Sequence, residues 1–258
     1  MANTSADANP ETPDPRIDAL QAELAAVRDE MQHFTYAVSH DLRAPLRHIV
    51  SYARLVEEDA GPQLSEEVQG FLSTITDSAR HMGQLLDGLA ALSRVGVAPV
   101  DVGAVSLQEM VQSAYQTVVA QYPQHNVEWR VASDLPVVQA DPALLRQALV
   151  QVLDNAVKFS TTRKPAVIEI NTLPAQSSGV VALQVRDNGV GFNPDHHNQL
   201  FKVFGRLHSS AQFQGLGMGL VLARKMLARM GGAISAQGVL NGGCCVELQL
   251  ASMARQRG

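Results

Sequence analysis

The sequence predicts an α-helical hairpin followed by a domain of mixed α and β structure. Three observations support this fold class. Apolar residues recur in heptads through residues 17–92, a stretch rich in glycine, proline and valine occupies 94–105, and shorter segments of helical or strand periodicity alternate from there to about residue 250. Heptads indicate helices that pack against other helices, whereas the alternation indicates a sheet covered by helices. We therefore expect two folding units.

Composition excludes several classes of protein. The 258 residues are 46% hydrophobic with a formal net charge of −5, which allows substantial cores and gives no electrostatic footprint for nucleic acid. The only two cysteines, Cys244 and Cys245, are adjacent and fit neither a disulfide framework nor a metal-binding CxxC pattern. No apolar run reaches the length of a membrane span, and the N-terminus is too polar for a signal peptide. We expect a cytoplasmic chain without membrane insertion.

The first helix is predicted to follow a polar, proline-rich segment, residues 1–15, that we expect to be disordered. One amphipathic helix on a globular core would show an apolar stripe, but three unbroken heptads favour self-association. The heptad residues are spaced alternately three and four positions apart: Ile17, Leu20, Leu24, Val27, Met31, Phe34 and Val38.

The segment VSHDLRAPL, residues 38–46, interrupts this pattern. The next heptad position is Asp41, which is not apolar, and His40 lies just off the heptad face on the solvent side. Pro45 lacks an amide proton, so we expect a kink there. Asp41 can orient the His40 imidazole and accept a proton from it, leaving a ring nitrogen free as a nucleophile.

A second heptad helix is predicted after a turn at residues 60–62. Two such helices form a hairpin, and two hairpins form a four-helix bundle. The predicted domains are a hairpin at 16–95, a linker at 96–106, a mixed α and β domain at 107–251 and a tail at 252–258. The heptad residues of the second helix are Leu64, Val68, Phe71, Ile75, Met82, Leu85, Leu89 and Leu92, with Ser78 as the one polar position.

Periodicity places the elements of the second domain. Asp141 is predicted to cap one of its helices. We predict helices at about 107–121, 142–159 and 220–230, and strands near 127–131, 167–171, 180–186, 233–237 and 245–250.

The predicted helix at 142–159 carries three polar side chains on one face. Gln151, Asn155 and Lys158 stand at positions i, i+4 and i+7. An amide oxygen such as that of Asn155 is a suitable Mg²⁺ ligand, and the Lys158 ammonium can pair with phosphate. Solvated polar residues on a helix would look the same, so this segment alone is a weak indication.

Glycines follow a strand and precede a helix in the last third of the chain. Asp187 ends an apolar strand, and Gly189 and Gly191 after it allow a tight turn and close approach to a ligand. The carboxylate can accept a hydrogen bond from an exocyclic amine such as that of adenine, although a plain turn has the same residues. A second set, Gly215, Gly217 and Gly219, opens a helix and exposes amides to phosphate. Its spacing fits neither the Rossmann nor the Walker motif.

In their order and spacing these segments resemble the sensor histidine kinases of two-component signalling, from about Ile17 to Leu250. VSHDLRAPL resembles the H box in its phytochrome-like form, QVLDNAVKFS the N box, DNGVGF the G1 box, LFKVFGRL the F box and GLGMGL the G2 box. The resemblance implies a dimeric helical hairpin, with a four-helix bundle in the dimer, followed by an α/β sandwich ATP-binding domain of the gyrase, Hsp90 and histidine kinase type. It also implies ATP and Mg²⁺ as cofactors and the receiver domain of a response regulator as partner, with a sensor module on the same or another chain.

The resemblance assigns roles by position. His40 is the implied phosphoacceptor and Asp41 its activating neighbour. Asn155 is the implied Mg²⁺ ligand, Lys158 a phosphate contact and Asp187 the adenine contact. The implied ATP lid is anchored by Phe201 and Phe204 and runs to about Gln214, with Arg206 as a phosphate contact. The remaining implied ATP-binding residues are Gln151, Phe159, Gly189, Gly191, Gly215, Gly217, Gly219 and Leu220.

Four positions, in three segments, depart from the family pattern. Gln151 replaces an Asn of the N box, and Cys244 and Cys245 stand where Ser or Thr often follows glycine. Ala44 stands four residues after His40, where kinases with phosphatase activity have Thr or Asn. The alternatives are a histidine phosphotransfer protein with a degenerate ATP site, and a serine kinase or ATPase of the same superfamily. An ATPase would need a carboxylate base near Gln151, and a purely structural coiled coil would leave all these segments unexplained.

Overall fold

The structure is a computed structural model that describes residues 15–173, 179–209 and 212–253. The segment predicted to be disordered lies outside these ranges except for Pro15, and most of the predicted tail lies outside them as well. No helix in the described part of the chain is long and apolar enough to cross a bilayer.

Two long helices form the predicted hairpin. Helix α1 spans Pro15–Ala60 and is continuous through Pro45, and helix α2 spans Glu66–Val97. A short 3₁₀ turn at Gly61–Gln63 joins them where the sequence predicts a turn. The heptad side chains of α1 are exposed on the single chain; Phe34, for example, is 64% exposed. A second copy of the hairpin could cover these exposed apolar side chains. The dimer therefore stays a prediction.

The second domain is a two-layer α/β sandwich. Its elements are β1 (Gly103–Ser106), α3 (Leu107–Gln121), β2 (Val127–Val131), β3 (Val137–Ala140), α4 (Pro142–Ser160), β4 (Ala166–Leu173), β5 (Val180–Asp187), α5 (Gly219–Arg229), β6 (Ala233–Val239) and β7 (Gly243–Ser252). Helices α3, α4 and α5 pack on one face of a seven-stranded sheet with the order β1-β3-β7-β5-β4-β2, and β6 pairs with β7. All pairings are antiparallel except that of β2 with β4.

Apolar and polar residues alternate along the strands, and the apolar side chains determine which face of the sheet the helices cover. Ile168 and Ile170 of β4 and Leu183 of β5 point into the core, with 0 to 1% of each residue exposed. The residue between the first two, Glu169, points to the other face, where it accepts a hydrogen bond from Arg130 of β2. One face is thus apolar and helix-covered, and the other carries charge, as expected for a half-buried sheet.

The structure differs from the sequence prediction in two details here. The segment 96–106, predicted as a linker, contains the last two residues of α2, which ends at Val97, and strand β1. Strand β3 was not predicted. Each missed strand has only four residues, so neither shows enough alternation to stand out. They are strands because of their hydrogen-bonded partners: β1 pairs with β3, and β3 also pairs with β7.

Helix α5 docks on the end of α2. The Arg229 guanidinium donates hydrogen bonds to the carbonyl oxygens of Val95 (2.7 Å), Gly96 and Ala98 (2.6 Å). The last carbonyls of a helix have no partner within the helix, and Arg229 supplies one. The α/β domain is therefore joined to the hairpin by side-chain contact as well as by the connecting chain.

Candidate functional site

A cavity of about 410 Å³ opens between α4, the end of β5 and the segment before α5. It gathers nearly all the residues that the sequence predicts to bind nucleotide; Gly189 alone of them does not line it, but lies directly beside it. The predicted residues that line the cavity are Gln151, Asn155, Lys158, Phe159, Asp187, Gly191, Arg206, Gly215, Gly217, Gly219 and Leu220.

Helix α4 orients the polar side of this cavity. Its N-terminus is capped as predicted, because the Asp141 carboxylate accepts hydrogen bonds from the amides of Ala143 (2.9 Å) and Leu144 (3.0 Å). Its apolar side is fully buried, as at Val152 and Leu153. With one face fixed in the core, the opposite face must present its polar residues to the cavity.

Two amides of α4 meet the start of α5. A Cβ atom added at Gly219 would lie 3.1 Å from both the Asn155 Nδ2 and the Gln151 Oε1, so a side chain at this position would crowd these two amides. None of the hydrogen bonds among the described residues involves the Asn155 side chain, and its oxygen is therefore available to a ligand.

The donor set suits Mg²⁺ bound together with a nucleotide. No group of three or more His, Cys, Asp or Glu side chains within the described ranges could hold a metal ion. Mg²⁺ does not need such a group, since it retains several waters and is commonly held by one or two protein oxygens together with substrate phosphates. Asn155 can supply such an oxygen.

Asp187 is a buried carboxylate at the end of β5. Its Oδ1 accepts hydrogen bonds from the amides of Gly189 (2.8 Å) and Cys244 (3.2 Å). Burial nevertheless raises the pKa of Asp187 to about 6, because removal from water disfavours the charged form more than these two bonds favour it. Its second oxygen takes part in no hydrogen bond among the described residues. A ligand that donates a hydrogen bond would find an acceptor there.

Lys158 is a cation that also lines the cavity. Its Nζ lies 4.0 Å from Asp154 Oδ2 and 4.9 Å from the centre of the Phe159 ring. Burial lowers the pKa of Lys158; Asp154 opposes this shift and Arg206 adds to it. Arg206 itself donates to the carbonyl oxygens of Phe213 (2.7 Å) and Gly215. In this structure Arg206 fastens the backbone before α5, and its phosphate contact stays a prediction.

Phe159, His208 and Phe213 form an aromatic cluster in the lining of the cavity, and only Phe159 of these three was predicted from the sequence. The three rings pack against one another in tilted and edge-to-face arrangements at ring-centre distances of 5.0 to 5.4 Å. The Nε2 of His208 lies 2.9 Å from the carbonyl oxygen of Gly191. His208 and Phe213 lie in an aperiodic loop, so no spacing rule could have found them. Of the predicted lid anchors, Phe201 packs under the Arg224 guanidinium at 5.3 Å.

His40 and Asp41 lie on α1 outside the cavity. The His40 side chain is 68% exposed, and its Nδ1 lies 3.1 Å from Asp41 Oδ1. The cavity rim reaches the hairpin at Gly88 of α2. The neighbouring residue, Asp87, pairs with Arg43 at 2.9 Å. Arg43 is three residues beyond His40, a rise of about 4.5 Å along a helix, so His40 and the cavity rim lie at neighbouring levels of the hairpin.

Two protein families match the chain. Residues 30–96 match the His Kinase A (phospho-acceptor) domain. Residues 140–253 match the histidine kinase-, DNA gyrase B-, and HSP90-like ATPase. The first match contains His40 and the second contains every predicted ATP-binding residue.

Similar proteins include a phytochrome and a sensor histidine kinase, both longer than this chain. Cyanobacterial phytochrome B of Nostoc is 30% identical over 220 residues, which is 83% of this chain and 28% of that protein. The sensor histidine kinase YkoH of Bacillus subtilis is 30% identical over 86% of this chain and 48% of that protein. The crystal structure of full-length ShkA in complex with AMPPNP aligns with a TM-score of 0.58 and 27% identity, over 86% of this chain and 46% of that one. The chain thus spans about half or less of the length of these relatives.

Proposed function

We propose that this chain, which belongs to the histidine kinases and carries their catalytic core, transfers the γ-phosphoryl group of ATP to its own His40 and then to an aspartate of a response regulator. The observation that carries the proposal is the convergence of Asn155, Lys158 and Asp187 on one cavity. A histidine phosphotransfer protein with a degenerate ATP site would not need these three groups at one cavity.

The cavity can hold the two ends of ATP separately. The free oxygen of Asp187 suits the exocyclic amine of adenine, and Phe159 offers a ring face beside it. Lys158 and the amides around Gly215 and Gly217 suit the phosphates. Asn155 would help to hold Mg²⁺, which neutralises charge on the phosphates during transfer.

The contact between His40 and Asp41 indicates which nitrogen reacts. With Nδ1 turned toward the Asp41 carboxylate, Nε2 is the nitrogen left with a free lone pair. The Nε2 forms a bond to the γ-phosphorus, the bond from that phosphorus to the bridging oxygen breaks, and ADP leaves. Asp41 accepts the proton that the imidazole gives up at Nδ1. Most of the catalytic effect then comes from positioning and charge neutralisation.

We propose that the active form is a homodimer whose partner is the receiver domain of a response regulator. The exposed heptad track of α1 supports the dimer, since a single chain leaves it uncovered. The longer relatives support a further proposal, that a sensor module on the same polypeptide or a separate one supplies the input.

Labelled ATP tests the proposal. The wild-type chain should gain phosphate that is lost in acid and retained in alkali, as phosphohistidine is, whereas His40→Ala should gain none. The matched control is His48→Ala, because His48 is an exposed histidine on the same helix and should be dispensable. Acid-labile phosphate on His40→Ala would show that another residue is the acceptor.

A further inference from the structure

We propose that Tyr122 and Asp154 form a relay that positions Lys158 for the phosphates of the nucleotide. This inference rests on the proposed function, because it assumes that the cavity binds ATP. Neither Tyr122 nor Asp154 was predicted to take part. Both are positioning residues, since they act on the nucleotide through Lys158.

The first link of the relay joins α3 to α4. Tyr122 follows the last residue of α3 and donates its hydroxyl to Asp154 Oδ1 at 2.8 Å. Burial and this hydrogen bond raise the pKa of Tyr122 above its usual range, so the phenol remains a donor. One oxygen of Asp154 is thus fixed from outside the cavity. Its side chain cannot rotate without breaking a bond to another element.

The second link joins Asp154 to Lys158 one turn along α4. The other oxygen, Oδ2, lies 4.0 Å from the Lys158 Nζ, and the two side chains are only 29% and 20% exposed. A Cβ atom added at Gly215 would lie 3.3 Å from that Nζ, so the ammonium is held between Asp154 and the glycines before α5. A buried ammonium without a partner is unfavourable. Asp154 provides the partner that keeps this cation in the cavity before a nucleotide arrives.

If Asp154 acted only through its charge, the effect of Asp154→Asn on nucleotide affinity would have the opposite sign. A carboxylate beside the phosphate site repels phosphate, so if charge were its only effect, Asp154→Asn would tighten the binding of a nucleotide. If Asp154 positions Lys158, the same change weakens binding. Tyr122→Phe separates the two explanations further, because it keeps the carboxylate charge and removes only its tether.

Calorimetric titration of the full chain with AMPPNP and with adenosine tests the relay. Adenosine has no phosphate and reports the base end of the cavity alone. We expect Asp154→Asn to weaken AMPPNP binding about fivefold and Tyr122→Phe about two- to threefold, with adenosine binding unchanged. The matched control is Tyr115→Phe, which removes a hydroxyl from the same helix at a residue that packs on Trp129. It should change neither affinity.

A double-mutant cycle shows whether the effect passes through Lys158. In a Lys158→Gln background, Asp154→Asn should change AMPPNP affinity by less than about twofold, because the group that it positions is gone. Tighter AMPPNP binding by Asp154→Asn, no effect of Tyr122→Phe, or an undiminished effect in the Lys158→Gln background would each overturn the relay while leaving ATP binding intact. Failure of the wild-type chain to bind AMPPNP would overturn the proposed function, and the relay with it.

Discussion

Replacement of Asp187 by Asn should stabilise the folded protein while it abolishes nucleotide binding. Burial raises the pKa of Asp187 to about 6 from an ordinary value of 3.8, a difference of about 2 pH units. Each unit corresponds to about 1.4 kcal/mol, so the ionised carboxylate destabilises the empty domain by about 3 kcal/mol. Asparagine has nearly the same shape and carries no charge. Its oxygen can still accept from the Gly189 and Cys244 amides.

The sign of the pH dependence follows from proton binding. Between pH 3.8 and about 6 the folded chain holds a proton on Asp187 that the unfolded chain has released. Stability from this group therefore falls as pH rises through that window, and the loss is complete above about pH 6. The Asp187→Asn variant has no such loss. Its advantage over wild type should be about 0.5 kcal/mol at pH 4 and reach about 3 kcal/mol at pH 7.5.

Urea unfolding followed by tryptophan fluorescence measures this difference. Trp129 is the only tryptophan, and it lies in β2 against Tyr115 at a ring-centre distance of 5.0 Å, so its signal reports the α/β domain. Asp134→Asn is the matched control, because Asp134 is exposed and should show no gain. In parallel, AMPPNP titration should detect no binding to Asp187→Asn. Equal or lower stability than wild type at pH 7.5 would refute the reasoning.

Three other predictions concern the hairpin and its contacts. Light scattering at micromolar concentration should give a dimer mass, and Phe34→Glu should weaken the dimer because it places charge on the heptad track; a wild-type monomer would contradict this. Ala44→Thr should accelerate decay of a phosphorylated partner in the His40→Ala background, since a methyl group cannot orient water; unchanged decay would contradict that role. Arg229→Gln should release α5 from α2 and increase proteolysis after Val97, whereas Arg224→Gln should not; equal proteolysis would show that the docking is weak.

Helical spacing was sufficient to predict that α4 has a polar face, whereas the resemblance to the histidine kinases was needed to assign nucleotide binding to that face. Gln151, Asn155 and Lys158 recur at helical spacing, and a helix with one apolar face in the core has to turn the other toward the cavity. Asp187 was predictable for a similar reason, because it ends an apolar strand just before two glycines. In both cases the local period of the chain carries the information.

Contacts between distant segments were not predictable in this way. The hydrogen bond from Tyr122 to Asp154 joins residues 32 positions apart, and no local period relates them. Cys244 shows a different limit. Its thiol departs from the Ser or Thr that is usual at this position, which directs attention to the side chain. In the structure the amide of Cys244, a group that every residue but proline has, donates to Asp187. The identity of the side chain at position 244 therefore does not determine the hydrogen bond to Asp187.

A small residue lies where the ATP-binding domain meets the hairpin. A Cβ atom added at Gly88 would lie 3.1 Å from Met218 Cγ, so the absence of a side chain lets α2 approach the segment that opens α5. Arg229 fixes the same two helices near the end of α2, at Val95, seven residues or about two turns further along. Two contacts at different heights determine both the position and the direction of α5 on α2. Asp87, beside Gly88, pairs with Arg43 and so relates that position to His40. The cavity consequently opens close to the level of the phosphoacceptor, and a short movement of the domain along α2 would change which level of the hairpin it faces.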